Sequence, residues 1–336
     1  MSPGSDTPLT SRTTLSVSTR LASRAAPKTA TTLRFRSDVA VGDFNGGGYP
    51  DVVLSNNYYD DQVCLNDGTW LFACGAISTD TTATSGIAFG DLDDDGDNDV
   101  VLALVNHPDR RCLNDGSGAF SCSPVSADSN PSTGVAVADL DGVNGPDLVF
   151  TNFNEANRVC LNSDAGIFTC ADVSTDSYES ERVAIGDLDG INGPDLVFAN
   201  GVDPERFCLN DGTASFACAD LGASGRAESV CLADVDGVNG LDAVFAVKYW
   251  RNEVCLNNGA ASFTCTFVSA DEHTTTDVAL ADVDGDGNID AVFANFQDPN
   301  RACLGDGAGA FTCSDLIDTT DRSEERRVGK ECATGC

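Results

Sequence analysis

The chain of 336 residues has little positive charge, almost no histidine and no long apolar run. It carries 19 Lys and Arg against 53 Asp and Glu, and its two histidines are His107 and His273. Without a stretch of 18 apolar residues, no helical membrane span is expected. The shortage of basic residues excludes a nucleic-acid surface, because phosphates require positive charge. The acidic residues instead indicate cation binding, a solvated surface, or both.

What the sequence does contain is an internal repeat. An acidic segment recurs at intervals of 47 or 48 residues, and one cysteine follows it after 21 residues and a second after ten more. Because the three markers share one step pattern, residues 38–321 are an array of six units. The units begin near residues 38, 86, 134, 182, 229 and 277. This array has a net charge of −40, with 49 acidic and nine basic residues.

Both tails differ from the array in composition. Residues 1–37 are rich in Ser, Thr and Arg and lack an apolar core, so we expect a disordered linker or a ragged N-terminus and no secretory signal in this stretch. Residues 322–332 resemble the translation of a short-read sequencing adapter, and residues 322–336 are therefore expected to be an artefact.

Each unit predicts four short strands, here called A to D, and no helix. In the second unit they lie around Gly86–Gly90, Asp99–Leu104, Arg111–Leu113 and Ala119–Cys122, with turn residues between them. Four strands per repeat of this length predict an all-β fold, the blades of a β-propeller. Strand A alternates apolar and small residues, which suits the crowded innermost strand. The six units are a whole ring or part of a seven-bladed one.

The turn between strands A and B is the candidate metal site. In units two and six it places carboxylates at positions 1, 3, 5 and 9 and glycine at position 6, which suits Ca²⁺ with its six to eight oxygen ligands. The position-12 Glu of a helical calcium hand is absent, so a β-hairpin version is predicted. The ligands are Asp91, Asp93, Asp95, Asp99, Asp282, Asp284, Asp286 and Asp290.

The other four loops are weaker candidates for calcium. Units three to five keep three carboxylates each, and unit one keeps two and an amide; hydrogen-bonded turns without metal remain the alternative. Their residues are Asp139, Asp141, Asp147, Asp187, Asp189, Asp195, Asp234, Asp236, Asp242, Asp43, Asn45 and Asp51.

The run Gly-Asp-Leu-Asp-x-Asp-Gly-x-x-Asp, a Val/Leu-rich strand and then Leu-Asn-Asp-Gly-x-Gly-x-Phe resembles the FG-GAP/VCBS repeat family. The resemblance covers residues 38 to about 316. It implies blades like those of the integrin α-subunit head and of secreted microbial propellers, with calcium in units two and six. It does not imply one function, because the family includes adhesion heads, lectins and non-catalytic modules of enzymes.

The repeated cysteines straddle the turn between strands C and D. They are Cys64, Cys74, Cys112, Cys122, Cys160, Cys170, Cys208, Cys218, Cys255, Cys265, Cys303 and Cys313. A hairpin would place the two of each unit opposite one another, so six disulfides are predicted, with reduced thiols or zinc as alternatives. Disulfides indicate an oxidising compartment, hence an extracellular or cell-surface protein. Cys231 replaces an alanine of strand A and is expected to be a buried thiol.

The links between strands B and C are the candidate ligand surface, because loops on a rigid scaffold commonly bind partners. Seven of the nine basic residues of the array lie there, with several aromatic ones. We expect a glycan or protein ligand to contact this B–C face, although each Arg could instead pair with a neighbouring Asp. The candidates are Tyr58, Tyr59, Arg110, Arg158, Arg206, Tyr249, Trp250, Arg251 and Arg301.

The function expected from these features is a secreted, calcium-stabilised binding or adhesion module that is not an enzyme. No nucleophile motif or histidine-centred acid–base group is present. A module of a polysaccharide-active enzyme and a structural spacer remain the alternatives.

Overall fold

The structure is a computed structural model that describes residues 38–316 except 57–58, 70, 79–81, 165 and 239. The predicted N-terminal linker and the adapter-like tail lie outside the described residues, as does Tyr58. None of the described segments forms a helix that could cross a membrane. The described chain is all β, as the repeat predicts.

Twenty-four strands form six successive groups of four, here called blades 1 to 6. They are β1 Val39–Gly42, β2 Asp51–Leu54, β3 Gln62–Asn66 and β4 Phe72–Ala76; β5 Thr84–Gly90, β6 Asp99–Leu104, β7 Arg110–Asn114 and β8 Phe120–Pro124; β9 Ser132–Ala138, β10 Asp147–Asn152, β11 Arg158–Asp164 and β12 Ile167–Asp172; β13 Ser180–Gly186, β14 Asp195–Asn200, β15 Arg206–Asn210 and β16 Phe216–Asp220; β17 Ala227–Ala233, β18 Asp242–Trp250, β19 Glu253–Asn257 and β20 Phe263–Phe267; and β21 His273–Ala281, β22 Asp290–Asn295, β23 Arg301–Gly305 and β24 Phe311–Asp315.

Within each blade the four strands pair in chain order as an antiparallel meander. The register repeats as well: Gly42 lies opposite Asp51 in blade 1, and Gly90 lies opposite Asp99 in blade 2. Each metal-loop candidate is therefore the tight connection between the first two strands of its blade. This repeated meander is that of a β-propeller-like fold.

The first strands of neighbouring blades lie side by side, and their small residues permit this. A Cβ atom added to Gly86 would come within 2.8 Å of the Gly134 Cα atom of the next blade. A Cβ atom on Gly42 would meet the Phe89 ring at 3.1 Å. The alternation of apolar and small residues in strand A is thus required by the packing between blades.

Five apolar cores hold the six blades together, one at each junction between consecutive blades. In the first core Ala40, Phe44 and Val53 of blade 1 pack against Ile87 and Leu102 of blade 2. Each face of an inner blade belongs to a different core, which explains why β6, β10 and β14 are buried along their whole length.

The two ends of the array are more open than its interior. The second residue of the metal loop is at most 2% exposed in blades 1 to 5, whereas Val283 of blade 6 is 53% exposed. At the other end, Val41 of blade 1 is 47% exposed. Among the described residues, no core comparable with the other five joins blade 6 to blade 1.

Blade 5 lengthens a contact with the following blade that blades 2 and 3 also make, where Val105 pairs with Pro131 and Phe153 with Glu179. Its second strand, β18, is nine residues long, whereas β6, β10, β14 and β22 have six. The extra residues pair with the first strand of blade 6, Lys248 with Thr274 and Trp250 with His273. Blades 5 and 6 thereby share one eight-stranded sheet.

Candidate functional site

The meander separates two faces of the array. The turns between first and second strands lie beside the turns between third and fourth strands, as shown by the Asn66 N–H, which donates to the Asp51 carboxylate at 2.6 Å. On the opposite face, Arg158 of blade 3 reaches Asp128 in the link that enters the blade. We call these the metal-loop face and the B–C face.

Carboxylates converge in five of the six metal loops. In each, one oxygen from each of three aspartates lies within 4.8 Å of the other two. The triads are Asp91, Asp93 and Asp99; Asp139, Asp141 and Asp147; Asp187, Asp189 and Asp195; Asp234, Asp236 and Asp242; and Asp282, Asp284 and Asp290. Loop 1 has only Asp43 and Asp51, with Asn45 in the middle position.

The last aspartate of each triad is held in place by the backbone. The Asp99 carboxylate accepts from the Leu92 N–H at 2.9 Å and from the Asn114 N–H at 2.7 Å. Burial raises the pKa of Asp99 to about 6, against the lowering effect of these two hydrogen bonds. Asp147 and Asp242 have the same paired donors, and burial raises the pKa of each to about 6.

The loops fit a calcium ion. Oxygens within 4.8 Å of one another are close enough to share one ion at distances near the 2.3–2.6 Å that Ca²⁺ prefers. In loop 2 the Asp93 Oδ1 atom is buried without a hydrogen-bond partner, and burial, followed by the charges of Asp95 and Asp91, raises the Asp93 pKa. A buried carboxylate oxygen of this kind needs a compensating charge, which a divalent cation would supply.

Loops 2 and 6 have a fourth carboxylate, but in the structure it does not join the other three and so does not set these loops apart. Asp95 and Asp286 lie outside the triads, and each accepts a backbone N–H two residues ahead, from Asp97 and Asn288. Loops 3 to 5, which the sequence ranks lower, gather the same three carboxylates as loops 2 and 6. The higher calcium affinity of loops 2 and 6 stays a prediction.

Loops 3 to 5 use an apolar residue at position 5 as a backbone donor. The Val143 N–H donates to Asp141 and the Ile191 N–H donates to Asp189, both at 2.9 Å. The turn then passes through Asn144 at φ 61° and Asn192 at φ 66°, a region that Asn tolerates better than most residues. This explains the shifted Asn-Gly pair of these loops, which brings the last aspartate back into the triad.

A contact between blades, not anticipated from the sequence, supports four of the loops. The amide of the asparagine in the third-to-fourth-strand turn donates to the second residue of the metal loop in the preceding blade. Asn114 reaches the Phe44 carbonyl, Asn162 that of Leu92, Asn210 that of Leu140 and Asn257 that of Leu188, all at 2.7–2.8 Å. In blade 6 this position is Gly305, which has no side chain to extend.

All six predicted disulfides form. The cysteines of each pair lie directly opposite one another in the hairpin of the third and fourth strands, with Cα atoms 3.8–3.9 Å apart. This separation is shorter than the roughly 4.4–6.8 Å usual for disulfides. Among the described residues Cys231 is the free cysteine; it is partly buried, its thiol donates to the Val278 carbonyl, and burial raises its pKa to about 12.

The arginines of the B–C face mostly connect blades. Arg158 pairs with Asp128 and Asp172, Arg206 with Asp176 and Asp220, and Arg301 with Asp271 and Asp315. The first acid of each pair lies in the link from the preceding blade, so the alternative of charge pairing applies to these three residues. Arg110 occupies the same register position at the start of β7.

The aromatic candidates of the B–C face concentrate in blade 5. Tyr249 is 63% exposed and Trp250 is 42% exposed, whereas Tyr59 is half-buried. The Arg251 guanidinium lies 5.8 Å from the Trp250 ring centroid and 5.2 Å from that of Phe267.

A second repeated feature that the sequence did not reveal caps each B–C link. A side-chain oxygen accepts the backbone N–H five residues earlier, as with Asp109 and the Leu104 N–H at 2.8 Å. The cap residues are Asp61, Asp109, Asn157, Glu205, Asn252 and Asn300. Their mixture of acids and amides hides them in the sequence, because aspartate is abundant everywhere in the array.

Comparison with known proteins supports the fold and part of the repeat. No curated protein matches the chain. Among solved structures, the computationally designed Ika8 protein aligns with 84% of this chain and 74% of its own, at 12% identity and a TM-score of 0.58, which is a likeness of fold alone. An FG-GAP-like repeat model matches residues 43–102, from metal loop 1 into β6. Residues 43–102 are thus similar to an FG-GAP-like repeat, and the remaining blades continue the same spacing and strand order.

Proposed function

We propose that this chain is a calcium-stabilised, non-catalytic binding module that acts outside the cell. The observation that carries the proposal is the convergence of three aspartates in each of five loops. Ca²⁺ in these loops would offset part of the acidic charge and fix the turn between the two innermost strands of a blade. The B–C face, opposite the metal, then presents its loops to a glycan or protein ligand.

Two further features support this assignment. The six disulfides are consistent with an oxidising environment. Four of the exposed aromatic residues, Phe153, Tyr249, Trp250 and Phe296, lie on the B–C face. Aromatic side chains exposed on loops of a rigid scaffold are typical of binding surfaces.

Calcium is tested by thermal melting with and without a chelator. Removal of the metal should lower Tm, and added Ca²⁺ should restore it, because each site saturated 100-fold above its Kd stabilises the fold by about 2.7 kcal/mol. Asp141→Asn, which weakens one triad, should reduce the effect of calcium. Asp115→Asn is the matched control, since Asp115 lies in a neighbouring turn outside the triads. A melt that chelation leaves unchanged would contradict the proposal.

Binding is tested with arrays of glycans and extracellular proteins probed by the calcium-loaded chain. At least one ligand should bind, and chelation should weaken it through loss of the folded blades. A folded, calcium-loaded chain that binds nothing on either array would overturn the binding function while leaving the metal sites intact.

One observation favours a second candidate, a module with polysaccharide-cleaving activity. Glu181 departs from the repeat, whose other blades have Ser85, Thr133 and Thr276 at this position and Glu228 in blade 5. Burial, followed by the charge of Glu228, raises the pKa of Glu181 to about 7, a value suited to a general acid. Cleavage of a polysaccharide that Glu181→Gln abolishes would establish this alternative.

A further inference from the structure

Blade 5 holds three exposed rings near its B–C face, here called the patch: Tyr249 lies beside Lys248, and Trp250 and Phe267 lie beside Arg251. The patch follows from the extension of β18 beyond Val247 onto the first strand of blade 6. Because Trp250 is paired in that sheet, its position on the B–C face is fixed by backbone hydrogen bonding. A rigid aromatic surface can bind a ligand without first losing conformational freedom.

Tyr249 adopts a backbone conformation that its side chain disfavours. Its φ is 61°, in the left-handed region. The corresponding residues are Asn106 at φ 58°, Asn154 at φ 57° and Gln297 at φ 64°. Asparagine tolerates this region well, whereas a tyrosine there is an outlier.

Packing does not offset this strain, because Tyr249 is 63% exposed. Strained residues of this kind cluster at binding and catalytic sites, where function maintains them. Stability alone would favour asparagine at this position, so the ring of Tyr249 serves something other than the fold.

The charges beside the rings are already paired. The Lys248 ammonium lies 2.5 Å from Glu228 and 5.8 Å from the Tyr249 ring centroid. The Arg251 guanidinium lies 3.6 Å from Glu272 and packs against Trp250 and Phe267. Within an array of net charge −40, this arrangement leaves no excess positive charge to attract a polyanion.

We propose that this patch binds a neutral, hydroxyl-rich sugar ring of a glycan. This inference rests on the proposed binding function of the B–C face. The apolar face of a pyranose would stack on Tyr249 and Trp250. Its hydroxyl groups would accept hydrogen bonds from Lys248 and Arg251 and donate to Glu228 and Glu272. The described residues hold one such site, because the other blades do not repeat this patch.

The experiment measures binding of the calcium-loaded chain by titration calorimetry to neutral hexasaccharides of glucose, xylose, mannose and N-acetylglucosamine. Heparin and polygalacturonate are the charged comparators. We expect a neutral oligosaccharide to bind and both polyanions to fail. Tyr249→Asn and Trp250→Ala should each weaken binding by about tenfold or more, as for loss of one stacked ring.

Tyr249→Asn installs the residue that blades 2 and 3 use, so its Tm should stay equal or rise while binding falls. The matched control is Phe72→Ala, which removes an exposed ring from β4 of blade 1, near the metal-loop face, and should leave affinity unchanged.

Three results would overturn the inference and separate it from the proposed function. A ligand that binds with equal affinity to both blade-5 variants places the site elsewhere, and the binding function survives. Binding of polyanions alone contradicts the neutral sugar. A fall in Tm on Tyr249→Asn shows that the tyrosine stabilises the fold after all.

Discussion

At the scale of single residues, Asp109 is a carboxyl group in a position that blades 3, 5 and 6 fill with an amide. Its Oδ1 accepts the Leu104 N–H and its Oδ2 lies 3.0 Å from the Ser132 hydroxyl. In blade 3, Asn157 makes the same backbone contact and donates to the Ser180 hydroxyl at 2.9 Å. Burial raises the pKa of Asp109 to about 7 from an ordinary 3.8.

This pKa makes stability depend on pH. The unfolded chain releases the proton near pH 4 and the folded chain near pH 7, so the stability that Asp109 contributes is complete below pH 4 and is lost as the pH rises to 7. Above that pH the fold must hold a buried carboxylate.

Asp109→Asn should remove this dependence. The variant should be more stable than the parent by on the order of 2 kcal/mol at pH 8, with the advantage shrinking towards pH 4.5. Urea unfolding at matched pH values measures the difference. Asn157→Asp is the mirror control and should introduce the same pH dependence into blade 3. An advantage equal at pH 4.5 and pH 8 would show that charge burial is not its cause.

The sequence predicted the converging aspartates residue by residue and offered charge pairing as one role of the arginines, but it did not reveal the cap residues. Aspartates at the first, third and ninth positions recur in five loops, and the structure brings them together in all five. The cap alternates among Asp, Asn and Glu, so no residue type marks it. Arg158 and Arg206 pair across a blade junction, and such a partner in another repeat is invisible to local spacing.

At the scale of elements, the metal loop and the following blade's turn form one unit of structure. The Asn210 amide donates to the Leu140 carbonyl at 2.7 Å and to the Pro194 carbonyl at 3.0 Å. Its Oδ1 accepts the N–H groups of Gly212 and Ala214. Asn210 therefore shapes its own turn and attaches it to loop 3.

Asn210→Gly should destabilise the chain by about 1–3 kcal/mol, because it leaves a buried carbonyl without its donor. The variant copies Gly305 of blade 6. Denaturant unfolding gives the cost, and calcium titration should show weaker binding to the variant if loop 3 depends on this contact. Asn66→Gly is the control, since the Asn66 amide reaches the Pro50 carbonyl of its own blade and is exposed. Equal costs for the two variants would refute a contribution from the contact between blades.

Each disulfide also acts within a single element. It closes a hairpin of ten residues and contributes about 2–3 kcal/mol by loop entropy. None of the six links two blades. The cysteine spacing predicted the hairpin correctly, because a turn centred between two positions ten apart places them opposite. The extension of β18 had no such signal, since its partner strand lies in the next blade.

At the scale of the whole molecule, the position of a blade in the array decides how much an equivalent side chain contributes to stability. Leu188 is 1% exposed in the core between blades 4 and 5, and the corresponding Val283 is 53% exposed at the end of the array. Both occupy the second position of their metal loops. The sequence cannot tell them apart, because burial depends on whether a further blade packs against the face.

Leu188→Ala should cost about 2–5 kcal/mol, as for a large apolar residue removed from a packed core. Val283→Ala should cost less than about 1 kcal/mol, because the side chain is half in solvent already. Thermal and urea unfolding of the two variants provide the comparison. Similar losses would show that the trailing face of blade 6 is covered in solution.

The amide contacts between blades give the array a direction. Each runs from a turn back to the loop before it, across four consecutive junctions, and the series stops at Gly305. Binding of an ion in loop 2 would therefore also stabilise a turn of blade 3. The metal loop of blade 3 is hydrogen-bonded to blade 4 in the same way. This coupling would make the calcium sites of the first blades bind cooperatively, whereas loops 5 and 6 would bind calcium independently. One chain could then respond to two ranges of calcium concentration.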